Sequence, residues 1–131
     1  MISIERQFSV FVDNRPGTLA RTCQALAKEG VNILALSISD TIDDAVVRFV
    51  VDDKQKAATV LNHLHLTVHE RDVIFMELPN QPGILATVAQ QLAEAGINIE
   101  YAYCTSSTVA GQPGRLVLRP SDIEGAISAL S

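Results

Sequence analysis

Twice in this 131-residue chain an asparagine stands two residues before a Pro-Gly pair, in Asn14-Arg15-Pro16-Gly17-Thr18-Leu19 and in Asn80-Gln81-Pro82-Gly83-Ile84-Leu85. Each run is followed by a second asparagine after a glycine, in Gly30-Val31-Asn32-Ile33 and Gly96-Ile97-Asn98-Ile99. These residue types suit the capture of a small zwitterion. An Asn amide offers both a donor and an acceptor, so it meets an ammonium or a carboxylate. Glycine lets the backbone approach a ligand closely. The N–H groups at a helix start attract a carboxylate, and Gly17 to Leu19 and Gly83 to Leu85 supply such starts. The ligand's side chain needs a wall from strand residues beside the turn. Leu34 and Leu36 are candidates in one half of the chain, Tyr101 and Tyr103 in the other. The alternative is local: Asn before Pro-Gly also serves as a plain turn residue, and Asn32 and Asn98 also suit the backbone after a helix end.

Other groups carry less. His63, His65 and His69 fall across a helix end and a strand, so they need not converge, and no metal site is expected. Cys23 and Cys104 have no metal or redox spacing, and Cys104 has no evident base or cation to activate it. Asp43-Asp44 and Asp52-Asp53 read as a hairpin loop and a helix cap, not as acid–base machinery. Ser106 to Thr108 and Gly111 to Gly114 form a polar loop that either covers a ligand or simply connects strands. There is no Ser-His-Asp or Cys-His arrangement, P-loop or dinucleotide fingerprint, and no cofactor is implied. The chain is 47% hydrophobic and 19% charged, with a net charge of -5 and a pI near 5.0. Its ten Lys and Arg are scattered, which argues against nucleic acid as a partner. No apolar run approaches the ~20 residues of a membrane span. The first six residues lack a signal-peptide layout, so a reduced, cytoplasmic setting is expected.

The elements that must position these residues come from an internal repeat. From Asn14 to Ile33 the chain matches Asn80 to Ile99 at a constant offset of 66, with eleven identities and no gap. In the first unit, residues 1–71, Phe8, Val10 and Val12 alternate with Gln7, Ser9 and Phe11 in a largely buried strand. A turn follows from Asp13 to Gly17, with Pro16 suited to the first turn of a helix. Leu19, Cys23, Leu26 and Ala27 give that helix its inner face, and Gly30 ends it. Strands follow over Val31 to Ser39 and Ala45 to Val51. Asp52 or Asp53 caps a helix carrying Ala57, Val60, Leu61 and Leu64, and Leu66 to Arg71 is a fourth strand. In the second unit, residues 72–131, strand Val73 to Leu78, helix Gly83 to Ala95 and strands Ile97 to Cys104 and Arg115 to Arg119 repeat the order. Ser121 caps a last helix carrying Ile123, Ala126, Ile127 and Leu130. This unit lacks a clear fourth strand; Ile2 to Glu5 or another chain could fill the edge. The pattern is α+β: two ferredoxin-like βαββαβ units in tandem. Units this small bury little surface alone, so the units are expected to pack together and the chain to form a homodimer.

The Asn-x-Pro-Gly turn and the Gly-Val-Asn-Ile run resemble those of the ACT domain, a module that most often binds amino acids, and are very similar to the serine-sensing tail of phosphoglycerate dehydrogenase. The resemblance covers nearly the whole chain as two units. It implies that Asn14 and Asn32, and likewise Asn80 and Asn98, hold an amino acid, with Arg15, Gly17, Thr18 and Leu19, or Gln81, Gly83, Ile84, Leu85 and Tyr101, around it. Small bacterial proteins made only of tandem ACT domains also carry counterparts of Tyr101, Tyr103 and Arg119-Pro120-Ser121. Val12 and Leu78 replace a His of the serine-sensing tail, so serine itself is not implied. The resemblance implies a regulatory protein that binds a small amino acid or related metabolite where one unit's first turn meets a neighbouring unit's second strand. With no catalytic domain in the chain, the regulated enzyme or regulator would be a separate chain. A scaffold module with no live site is the alternative. A small enzyme similar to acylphosphatase is a further one, since Arg15 occupies the turn where that family carries an arginine, but the rest of its motif is absent.

Overall fold

The structure, a computed structural model, describes residues 2–40, 44–105, 109 and 112–131. Asp43 and the loop residues 106–108 and 111, named above, lie outside the described residues. The elements run β1 (Ile2–Asp13), α1 (Thr18–Lys28), β2 (Ile33–Asp40), β3 (Asp44–Val51), α2 (Lys54–His63), β4 (Thr67–Leu78), α3 (Ile84–Glu94), β5 (Ile99–Thr105), β6 (Gly114–Pro120) and α4 (Ile123–Leu130). The described contacts divide the chain into two compact units, Arg6–Arg71 and Asp72–Ser131, the latter joined by the chain up to Glu5.

The first unit has the strand order β2-β3-β1-β4. β1 and β3 are antiparallel, with Phe8 opposite Phe49 and Val10 opposite Val47. Period-2 alternation puts Phe8, Val10 and Val12 on one face with Ala45, Val47, Phe49 and Val51, where Leu26 of α1 and Ala57, Val60 and Leu61 of α2 close the core. The Phe8 and Phe49 rings stack 5.9 Å apart. α1 differs from the sequence expectation in its inner face. It buries Thr22 and Leu26, whereas Ala27 is exposed. Thr22 tolerates burial because its hydroxyl donates to the Thr18 carbonyl at 3.0 Å, so no polar group is stranded.

The second unit has the order β1-β4-β6-β5. Its core gathers Ile74 and Met76 of β4, Leu116 and Leu118 of β6, Val88 and Leu92 of α3 and Ala126 of α4, with Ile2 packed against it. Its missing strand is the start of β1: Ile2–Glu5 belongs to this unit, and the Ser3 hydroxyl donates to the Phe75 carbonyl at 3.4 Å. Each unit is thus a four-stranded sheet with two helices, in the order βαββαβ in the first and as βαββα plus the start of β1 in the second. The two strands expected on either side of Asp72 are one 12-residue strand, β4. Nothing in Glu70-Arg71-Asp72 breaks a strand, since no glycine or proline interrupts the ladder.

The ends of the helices repeat as well. Gly30 and Val31 donate to the Ala27 and Leu26 carbonyls at 3.0 Å each, which is the Schellman closure expected of a C-terminal glycine. Gly96 and Ile97 do the same with Ala93 and Leu92, at 3.0 and 2.9 Å. α2 is capped by Asp53, whose carboxylate accepts from the Lys56 N–H at 3.1 Å. α4 is capped by Asp122, which accepts from the Gly125 N–H at 3.0 Å, and not by Ser121 as expected. Ser121 is engaged elsewhere, accepting from the Asn98 N–H at 3.1 Å.

Candidate functional site

The two asparagine turns lie at the C-terminal ends of β1 and β4, each leading into a helix. Both helices start unusually. Helix N-caps ordinarily sit in extended backbone and accept a first-turn N–H with a side-chain oxygen, as Asp53 and Asp122 do. α1 and α3 start on Gly17 and Gly83, which hold left-handed backbone at φ 92° and 85° and give no side-chain cap. Only glycine adopts that conformation without a steric penalty. A Cβ at either position would meet nothing within 4 Å. The surface there is open to a small molecule, and the dipole of each helix points its positive end at it. Pro16 lies in the turn before the cap and not in the first helical turn as expected.

The turn in the first unit is tightly made. The Arg15 N–H donates to the Asp13 carbonyl at 2.9 Å, and the Thr18 hydroxyl donates to the Asp13 and Arg15 carbonyls at 3.0 and 3.1 Å. Arg15 also pairs with the Asp13 carboxylate at 3.5 Å, with both side chains about two-thirds exposed, so the pair adds little stability. Leu19 turns inward and packs on the core. Beside this turn is a cleft of about 90 Å³ lined by Phe11, Val12, Asp13, Arg15, Thr18, Arg21, Thr22 and Leu66. In the second unit the Gln81 N–H donates to the Pro79 carbonyl at 3.0 Å. A cleft of about 80 Å³ there is lined by Leu78, Pro79, Asn80, Ile84, Leu85, Cys104, Thr105, Gly114 and Arg115. A wider cleft of about 420 Å³ lies beside α2 and the start of β4. No residue of either asparagine turn lines it, whereas the smaller clefts reach those turns through Asp13 and Arg15 in one unit and Asn80 in the other, so the turn clefts are the candidate site.

Asn14 and Asn80 are exposed in their turns. Asn32 and Asn98 lie at the other end of the first helix of each unit. The 11 residues of α1 rise roughly 16 Å, so within one unit Asn14 and Asn32 do not meet, nor do Asn80 and Asn98. A small molecule touching both kinds of asparagine would have to take the second from another unit. The backbones of Asn32 and Asn98 are pinned: the Asn32 N–H donates to the Asp52 carboxylate at 2.9 Å and its carbonyl accepts from the Asp52 N–H at 3.1 Å. Asn98 is held the same way by Ser121. Tyr101 is half-buried opposite Arg119 in the β5–β6 ladder. It lies outside the turn cleft, whose β5 wall is Cys104 and Thr105. Arg119 donates to the Glu100 carboxylate at 3.3 Å and to the Asp72 carbonyl at 2.6 Å.

Sequence reasoning missed Arg21, Thr22 and Leu66 in one cleft and Arg115, Cys104, Thr105 and Gly114 in the other. Arg115 is placed by strand register, opposite Glu77 on β4 and Thr105 on β5, a pairing for which the sequence carried no signal. Burial pushes the Cys23 thiol on α1 up from its ordinary value, the direction opposite to that of an activated thiol. Among the described residues no three His, Cys, Asp or Glu side chains gather to hold a metal. No described helix is long and apolar enough to cross a membrane.

Two ferredoxin-like units in tandem, each with an open helix start at its first turn, define the class of fold. A family model described as an ACT domain pair matches residues 2–129, and the chain belongs to that family. Among solved structures it is similar to protein BT0572 from Bacteroides thetaiotaomicron, at 34% identity and a TM-score of 0.89, covering 98% of this chain and 88% of that one. It also shares its fold with the regulatory subunit of aspartate kinase from Thermus thermophilus in a ligand-free form, at 20% identity and a TM-score of 0.70, covering 98% and 93%. The corresponding subunit from Thermus flavus gives 19% identity and a TM-score of 0.64, covering 99% and 93%. A search of curated proteins finds no match.

Proposed function

We propose that this protein is a cytoplasmic amino-acid sensor that carries no catalysis of its own and modulates a separate partner chain. The observation that carries this reading is the pair of uncapped helix starts at left-handed Gly17 and Gly83, each beside a small cleft. The amino acid's carboxylate faces the amides that follow the glycine. Its ammonium faces the side-chain oxygens of the turn asparagine, Asn14 or Asn80. The second asparagine, of the Asn32 or Asn98 kind, comes from another copy of the chain, so the protein works as a homodimer and ligand ties the copies together. The reading also suits a fold shared with separate regulatory subunits of aspartate kinase, since such a chain acts through a partner. Binding shifts the arrangement by no more than the ligand's differential affinity, typically ~1–3 kcal/mol.

A thermal-shift screen across the amino acids identifies the ligand, because binding to the native state alone adds about 2.7 kcal/mol at ~100 times the dissociation constant. Light scattering on the same samples reports the dimer. Asn14→Ala and Asn80→Ala are then titrated by calorimetry. Both positions are exposed, so the fold is kept, and loss of a hydrogen bond to a charged group lowers affinity roughly tenfold or more. Equal binding by the parent and both variants would reduce the asparagines to turn residues.

A further inference from the structure

The two turn clefts share three equivalent positions, Val12 and Leu78, Asp13 and Pro79, and Thr18 and Ile84, and otherwise differ in the residues that line them. Resting on the reading that they hold amino acids, we propose that the first unit takes an amino acid with an acidic side chain and the second takes one with an apolar side chain. At the constant offset of 66, Asp13 is replaced by Pro79, Arg15 by Gln81, Thr18 by Ile84, Arg21 by Thr87 and Thr22 by Val88. All five first-unit residues line its cleft, and of their counterparts Pro79 and Ile84 line the second. Every charged residue among the five is exchanged for a neutral one, and both threonines for an aliphatic residue.

The consequences follow from charge and desolvation. An amino acid with an ordinary side chain is a zwitterion, and its one carboxylate is answered by the helix start. A second carboxylate needs a further cation in reach. The first cleft has two guanidinium groups, those of Arg15 and Arg21. Arg15 pairs with Asp13, and Arg21 lies one turn along α1 from Thr18, on the same side of the helix. A planar guanidinium grips a carboxylate through two parallel hydrogen bonds. An apolar side chain in this cleft would cover the arginines and Thr18 without replacing their water. The second cleft reverses this. Leu78, Pro79, Ile84 and Leu85 form its wall, and Arg115 brings one cation, enough for a main-chain carboxylate. An apolar side chain buries surface against that wall, whereas a second carboxylate would be desolvated there without a partner. Leu85, half exposed, is the residue such a side chain would cover.

The test is calorimetry on the intact chain with L-aspartate and L-glutamate, and with L-valine and L-leucine. Each class is titrated alone and then into protein saturated with the other. The expected result is one equivalent of each class per chain, with neither displacing the other. Arg21→Gln then weakens the acidic ligand about tenfold or more and leaves the apolar one unchanged. Ile84→Thr weakens the apolar ligand several-fold and leaves the acidic one unchanged. Because each variant keeps one binding event as an internal control, misfolding is recognised when both are lost. Should the two classes compete for the same sites, or should Arg21→Gln bind the acid as tightly as the parent, the inequality is overturned while the sensor reading stands. If no amino acid of either class or any other binds the parent, the sensor reading itself falls, and the inequality with it.

Discussion

At the scale of single residues, left-handed backbone is used in two opposite ways. Gly17 and Gly83 occupy it where a glycine is available, and His65 occupies it where one is not. His65 follows α2 at φ 56°, in the place that Gly30 and Gly96 hold after α1 and α3. Its N–H still reaches the Asn62 carbonyl at 3.2 Å, so the chain makes its closing bond at a conformational cost. A left-handed non-glycine residue costs roughly 1–2 kcal/mol, offset in part by the greater chain entropy of an unfolded glycine. His65→Gly should therefore raise stability by roughly 0.5–1 kcal/mol, and Gly17→Ala should lower it by about 1 kcal/mol. Since a Cβ at Gly17 meets no atom, the loss comes from the backbone and not from a clash. Urea denaturation of the two variants decides it. Equal midpoints would show that neither backbone is under the constraint argued here.

The elements were legible where chemistry is local. The repeat at offset 66 laid out the helices, the strands and the turn residues that open α1 and α3, because turns, caps and period-2 alternation are written into neighbouring residues. Three features escaped. Thr22 is buried in place of Ala27, since a hydroxyl that bonds back to its own helix loses its apparent polarity. β4 runs unbroken through Asp72, since a polar run at a unit boundary looks like a loop when its pairing partners are unknown. Asp122 caps α4 in place of Ser121, since both residue types serve as caps and only the tertiary bond from Asn98 to Ser121 separates them. The clefts escaped for the same reason: Leu66 arrives from the segment between α2 and β4, and Cys104 and Arg115 through strand register, and a single sequence reveals neither. The cap assignment carries its own prediction. Asp53→Ala and Asp122→Ala should each cost about 1 kcal/mol, while Ser121→Ala should leave the start of α4 intact. Amide exchange at Gly125 separates the two: protection there should fall in Asp122→Ala and persist in Ser121→Ala.

For the molecule as a whole, the strand that completes the second unit comes from the far end of the sequence. Ile2–Glu5 supplies an edge for Asp72–Leu78, and Ile2 packs against Ile74, Met76 and their neighbours. Without it, the second unit would keep three strands and expose a row of unpaired N–H and C=O groups on β4, an invitation to aggregation. The first unit would keep all four of its strands within Arg6–Arg71. Deleting residues 2–5 should thus weaken one unit selectively. The lost burial of Ile2 and the lost strand pairing together amount to roughly 1–3 kcal/mol. Hydrogen exchange followed residue by residue is the measurement. Val73 to Leu78 should lose protection, and the ladder between Phe8 and Val12 and residues 45–49 should keep it. The same deletion should reduce ligand affinity at the Asn80 turn, which lies at the end of the weakened strand, more than at the Asn14 turn. Uniform loss of protection across both units would show instead that the chain folds as one cooperative block, with the start of β1 serving both units equally.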